Sequence, residues 1–122
     1  MAKIIVDIDK EGQYQFFIRR DTNRTVASSS FTGTKGECKD AIALFQEYAS
    51  HGFYWTYKRS KMANYHYADW KKNGIVVTTK YYTNLTDLNK AITLIKSEIS
   101  FKTPILHTTI KNDNYVRTTP TT

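Results

Sequence analysis

Thr25-Val26-Ala27-Ser28-Ser29-Ser30-Phe31 and Ile75-Val76-Val77-Thr78-Thr79-Lys80-Tyr81 are one strand written twice, fifty residues apart. Downstream of each, at the same offset, Cys38-Lys39-Asp40-Ala41-Ile42-Ala43-Leu44-Phe45 matches Leu88-Asn89-Lys90-Ala91-Ile92-Thr93-Leu94-Ile95. A β-branched strand followed by a helix at a constant spacing marks a duplicated supersecondary unit. Each copy therefore serves as a control for the other. What both copies share is framework, and what one copy has alone is a candidate for function.

Working outward from that pair, Ile4, Val6 and Ile8 alternate with Ile5, Asp7 and Asp9, the period of a half-buried strand. Asp9-Lys10-Glu11-Gly12 makes a turn, and Tyr14, Phe16 and Ile18 mark a second strand. The polar turn Asp21-Thr22-Asn23-Arg24 leads into the strand at Thr25–Phe31. Thr34 and Glu37 have the spacing of a capping box, followed by an apolar helix face of Cys38, Ala41, Ile42, Phe45 and Ala49. Ser50-His51-Gly52 closes that helix, with Gly52 able to take the left-handed conformation. The second copy predicts strands at Phe53–Lys58, Asn64–Trp70 and Ile75–Tyr82, with an Asn73-Gly74 hairpin turn. Its helix begins near Thr86 and Asp87, and its apolar face is Leu88, Ala91, Ile92, Ile95 and Ile99. Cys38 stands where the second helix has Leu88, which makes it a small buried hydrophobe. The expected fold is α+β: a tandem β-β-β-α repeat, an antiparallel sheet with two helices packed on one face. The first repeat spans residues 1–52, the second 53–100, and a C-terminal tail 101–122, all in one compact domain. In the tail, Pro104 blocks helix extension, Ile105–Ile110 suits a further strand, and Asn112–Thr122 is polar and Thr-rich.

The chain has 122 residues and a formal net charge of +7. Residues 1–50 hold seven bases against seven acids, and residues 51–122 hold eleven against four, so the excess lies in the second repeat and tail. That asymmetry favours an anionic partner, although solubility alone accounts for charges of this size. No apolar run reaches the roughly 18 to 20 residues of a membrane span, and the N-terminal apolar run is too short for a signal peptide. One cysteine permits no internal disulfide. These features lead to the expectation of an intracellular, cytoplasmic protein with no membrane partner.

The run Gly12-x-Tyr14-x-Phe16-x-Ile18, the turn around Asn23, and Ser28-Ser29-Ser30-Phe31, Thr34-Lys35 and Ala41-Ile42 resemble the repeat of YegP-like proteins. These are small bacterial proteins built from tandem repeats of about fifty residues. The second copy matches through Tyr65-x-Tyr67, Asn73-Gly74, Thr78-Thr79 and Ala91-Ile92. The resemblance covers most of residues 3–99 and none of the tail. It implies three antiparallel strands and a helix per repeat, with the repeats intertwined, and it supplies no catalytic motif. Two departures stand out: Asn23 is followed by Arg24 rather than Gly, and the second copy is much richer in aromatics.

An enzyme is the weakest reading. His51, His66 and His107 are scattered without ligand spacing, no nucleophile motif is present, and Thr32-Gly33-Thr34-Lys35-Gly36 lacks the phosphate-loop pattern. The expected catalytic, cofactor and metal sites are therefore none. Binding has more support. If Tyr65, Tyr67, Val77, Thr79 and Tyr81 face inward like their first-copy counterparts, alternation sends Tyr54, Thr56, Lys58, His66, Val76, Thr78, Lys80 and Tyr82 outward. Trp70 lies close by, although a one-residue shift after Tyr67 turns it inward. Rings and lysines together suit unpaired bases and phosphates, and equally suit a protein interface; several of these rings also suit a core.

The expected partner-binding residues are Tyr54, Lys58, His66, Trp70, Lys71, Lys72, Lys80 and Tyr82. The expected partner is macromolecular, a protein or ribonucleoprotein with an anionic surface or nucleic acid, met by a monomer or homodimer. A composition rich in Lys, Asn, Ile, Tyr and Thr suggests a phage or mobile-element origin. The leading expectation is a non-catalytic, anti-CRISPR-like inhibitor that occludes a host defence ribonucleoprotein or nuclease complex. The alternatives are a single-stranded nucleic-acid-binding accessory protein and a small-ligand-sequestering domain.

Overall fold

In the computed structural model, residues 1–20, 24–30, 32–111 and 115–120 are described, the chain from Thr108 onward as backbone. The order is β1 (Lys3–Ile8), β2 (Tyr14–Arg19), β3 (Thr25–Ser29), α1 (Lys35–Tyr48), β4 (Trp55–Arg59), β5 (His66–Lys72), β6 (Ile75–Thr79), α2 (Leu85–Glu98), β7 (Ile105–Lys111) and β8 (Tyr115–Pro120). The fold is α+β and the β-β-β-α unit occurs twice. The Asp21-Thr22-Asn23 turn and the inward placement expected of Phe31 lie outside the described residues.

The two copies join through their third strands. β3 and β6 pair antiparallel with Ala27 opposite Thr79, Ser28 opposite Thr78 and Ser29 opposite Val77. Each residue thus faces the counterpart of its mirror position, and a pseudo-two-fold axis passes between Ser28 and Thr78. The flanking backbone bonds obey the same symmetry: Ser30 N–H donates to Val76 O (2.8 Å) and Lys80 N–H to Val26 O (3.0 Å). Strand order is β4-β5-β6-β3-β2-β1-β7-β8.

The tail is part of the sheet. β7 pairs parallel with β1, Ile4 opposite Ile105 and Val6 opposite His107, and β8 returns antiparallel on β7. The sheet is therefore mixed, not wholly antiparallel as expected. Within the polar tail, Tyr115–Pro120 forms a strand, for which β-branched threonines are suited.

Both helices pack on one face of this sheet. Cys38, Ala41, Ile42, Phe45 and Ala49 of the first copy and Leu88, Ala91, Ile92, Ile95 and Ile99 of the second are all buried. α1 begins with the expected capping box: Glu37 N–H donates to Thr34 Oγ1 and Thr34 N–H to Glu37 Oε1, both at 3.2 Å. α2 begins slightly earlier than expected, at Leu85, because Asn84 caps it by accepting from Asp87 N–H (2.8 Å). At the end of α1, Gly52 does not take the left-handed form; it opens a short 3-10 turn, Gly52–Tyr54. Asn73 (φ 51°) and Gly74 (φ 82°) do take it, as a two-residue hairpin between β5 and β6 requires. Cys38 is buried, and that burial pushes its thiol up, away from the reactive thiolate. Among the described residues no helix is long and apolar enough to cross a membrane.

The hydroxyl pattern shared by the copies has a structural cause. Ser29 Oγ accepts from Phe16 N–H (2.9 Å) and donates to Ser30 O (2.8 Å). Thr79 Oγ1 accepts from Ala68 N–H (3.0 Å) and donates to Lys80 O (2.9 Å). In both copies a buried hydroxyl replaces a ladder bond where the strand pair diverges. Removing it strands a buried N–H, which costs about 1–3 kcal/mol. Ser29→Ala and Thr79→Val should each lower stability by about that amount in urea denaturation. Losses below about 0.5 kcal/mol would mean that water replaces the hydroxyl.

Candidate contact surface

The faces of the second-repeat sheet follow from its register. Trp70 lies opposite Val77 and Trp55, and Ala68 opposite Tyr57; Trp70, Ala68, Val77 and Trp55 are buried beneath the helices. Asp69 lies opposite Thr78 and Thr56, so Tyr67, Asp69 and Lys71 occupy the other face with Thr56, Lys58, Val76 and Thr78. Among the described residues no helix covers that face.

In the first copy Ile18 lies opposite Ala27 as Trp70 does opposite Val77. The counterparts of Tyr14, Phe16 and Ile18 are therefore His66, Ala68 and Trp70. Alternation from Tyr65 and Tyr67 had pointed one residue away, and a slip of one residue exchanges the faces of a whole strand. The loop before β5 absorbs the difference, with Asn64 at φ 54°. Tyr65, Tyr67 and Tyr81, expected inside, are instead gathered toward solvent. Tyr67 and Tyr81 stack at 4.5 Å with planes 11° apart, and Tyr65 lies 6.1 Å from Tyr81. Tyr65 is 38% and Tyr81 53% exposed.

The expected binding residues separate accordingly. Lys71 and Lys80 are exposed, Lys71 on the helix-free face and Lys80 beyond the end of β6, beside Tyr81, where the His66–Tyr82 pairing runs one residue out of step with Trp70–Val77. Lys58 is also on that face, but its Nζ is 2.8 Å from Asp69 Oδ2, while Thr78 Oγ1 donates to Asp69 Oδ1 at 2.8 Å. The hydrogen bond to Asp69 and its negative charge push Lys58 up from the ordinary lysine value.

Five residues expected to share this face do not. Trp70 is fully buried, its indole N–H donating to Tyr48 O (3.2 Å), and it has no surface to offer a partner. His66 and Tyr82 exchange backbone bonds (2.7 and 2.8 Å) at the edge of the core, and burial pushes the Tyr82 phenol up. Tyr54 packs on Trp70 and Tyr48 on the helix side. Lys72 joins it there, with Nζ 4.5 Å from the Tyr48 ring centre, 4.6 Å from that of Tyr54, and bonded to Tyr54 Oη at 3.2 Å. Its charge is already engaged by two rings.

Among the described residues no cluster of His, Cys, Asp and Glu is arranged to hold a metal ion.

This architecture defines a class: tandem β-β-β-α proteins whose repeats share one sheet across a pseudo-two-fold axis. It is the structural class of YegP and UPF0339 proteins. The solution NMR structure of yegP from E. coli, described as a protein of unknown function, matches with a TM-score of 0.81 at 15% identity, over 91% of this chain and 96% of that one. A UPF0339 protein from Shewanella oneidensis matches with a TM-score of 0.81 at 14% identity, over 93% and 97%. At such identity the likeness is one of fold. No family model matches the sequence, and neither does any curated protein.

Proposed function

We propose that this is a non-catalytic binding protein whose second repeat holds single-stranded nucleic acid, free or presented by a ribonucleoprotein, on its helix-free sheet face. The observation that carries the reading is the gathering of Tyr65, Tyr67 and Tyr81 toward solvent near Lys71 and Lys80. Exposed rings on a sheet stack on unpaired bases without regard to sequence, and lysines track the phosphates. The first repeat works as a partial contrast: its equivalent face has Gln15 in place of Tyr67 and Asp7 opposite it in place of Lys58, although Arg19 stands where the second repeat has Lys71. We place the contact in phage- or mobile-element inhibition of a host defence ribonucleoprotein by occlusion, for which co-purification from a bacterial host is the direct assay.

The test of the nucleic-acid reading is fluorescence anisotropy with a labelled oligothymidylate and a duplex of equal length, at salt between about 50 and 200 mM. Single strands should be preferred, and log affinity should fall with log salt by about 0.7 for each phosphate contacted. Affinity indifferent to salt, or a preference for duplex, would reject it.

A further inference from the structure

The duplication exposes a second site, in the first repeat. In β4, Tyr57 lies opposite Ala68; in β1, Val6 lies opposite Phe16. Ala68 and Phe16 are counterparts, so Tyr57 and Val6 are too. Tyr57 reaches from the sheet to α2, where its hydroxyl donates to Asn89 Oδ1 at 2.7 Å. Asn89 corresponds to Lys39. In the first copy the tyrosine is replaced by Val6, too short to reach, and the amide by a lysine. The space Tyr57 fills in one copy is left open in the other, and β7, which has no counterpart, supplies a further wall.

The result is a cavity of about 380 Å³ between α1 and the sheet, within the size range of small-molecule sites. Val6, Ile42 and Ile105 give it an apolar lining. Its charged groups are of one sign. Lys35 and Lys39 stand at one end, and among the described residues no carboxylate lines it. His107 lines it from β7, held below the ordinary histidine value by burial and by the charge of Lys35. Gln46 Nε2 is a buried donor with no partner among the described residues. From Lys35 to Gln46 the helix rises about 16 Å, so the slot is long, apolar in the middle, and furnished with donors and positive charge.

We propose that this cavity binds an elongated apolar carboxylate of medium chain length, its chain along α1 and its carboxylate between Lys35 and Lys39. The charge decides the class: a cationic amphiphile meets two lysines with nothing to offset them, and a neutral one leaves them unused.

The experiment titrates decanoate, below its micelle concentration, into isotope-labelled protein, with decanol and decyltrimethylammonium as matched probes. Decanoate should give saturable amide shifts at Cys38, Ile42 and Gln46. Lys35→Gln with Lys39→Gln should weaken decanoate about tenfold or more and leave decanol unchanged. Val6→Tyr with Lys39→Asn, which rebuilds the second copy's closure, should abolish binding of decanoate with the dichroism spectrum intact. If that variant does not fold, Ala43→Trp blocks the slot from an exposed helix position. No saturable shifts, shifts mapping away from α1, equal affinity for the ammonium probe, or undiminished binding by the folded blocked variant would each overturn the assignment. Oligonucleotide binding by the second repeat should be unaffected by the blocked variant, which keeps the two sites separable.

Discussion

Reversing Lys71 and Lys80 together (Lys71→Glu with Lys80→Glu) should remove binding of a single-stranded oligonucleotide by about a hundredfold or more at 100 mM salt, without moving the thermal midpoint. Both ammonium groups are exposed, and neither has an ion-pair partner among the described residues. Their loss therefore costs the fold little. If each contacts one phosphate, the salt slope should become shallower by about 1.4. Lys58 is unsuited to this test. A glutamate there would face the buried Asp69 at the distance of an ion pair, and two carboxylates so close would unsettle the sheet. Lys72 is equally unsuited, since its charge rests on Tyr48 and Tyr54. The matched control is Lys10→Glu with Lys35→Glu, the same charge change in the first repeat, which should do little. Tyr81→Ala supplies an uncharged arm, with a loss of about 1–3 kcal/mol for a stacked base and an unchanged salt slope. If the control pair weakens binding as much as Lys71 and Lys80, overall charge rather than this face is responsible.

The contrast between these lysines shows where the sequence was legible. The helices were readable to their faces, because five apolar positions recur at a constant offset and the caps sit at matching places. The third strands were readable for the same reason. β5 was not, because Tyr-x-Tyr ahead of it imitates the inward alternation of Tyr14-x-Phe16. Only the pairing of Trp70 with Val77 reveals the added residue. An aromatic ring carries no mark of the face it occupies: Trp70 is core and Tyr81 is surface, though both suit either setting. Tail pairing was hidden too, since β4, the counterpart of β1 in the second copy, has no strand beyond it to set a precedent. The cavity beneath α1 depends on that pairing and on Val6 standing where Tyr57 stands, which becomes visible only once the register is known.

Phe45→Ala should be the most damaging single truncation in the core, costing about 3–5 kcal/mol out of a total that for domains of this kind is about 5–15 kcal/mol. Phe45 is fully buried and meets Phe16 at 5.9 Å, Trp55 at 6.4 Å and Trp70 at 4.9 Å, the last edge-to-face. Edge-to-face geometry adds to plain area burial. Phe45 and Phe16 belong to the first repeat, whereas both tryptophans belong to the second. The indoles also donate to the carbonyls of Tyr48 (3.2 Å) and Ala49 (2.8 Å), at the end of α1 where a helix leaves its carbonyls unpaired. The second repeat thus caps the helix of the first, and the two cannot melt separately. Urea unfolding followed by tryptophan fluorescence and by dichroism should give one coincident transition in the parent and in Phe45→Ala. Ile95→Ala, at the equivalent place in α2 but outside this ring cluster, should cost less. Two resolved transitions, or a smaller cost at Phe45 than at Ile95, would show that the repeats are adjacent modules and that the sheet alone joins them.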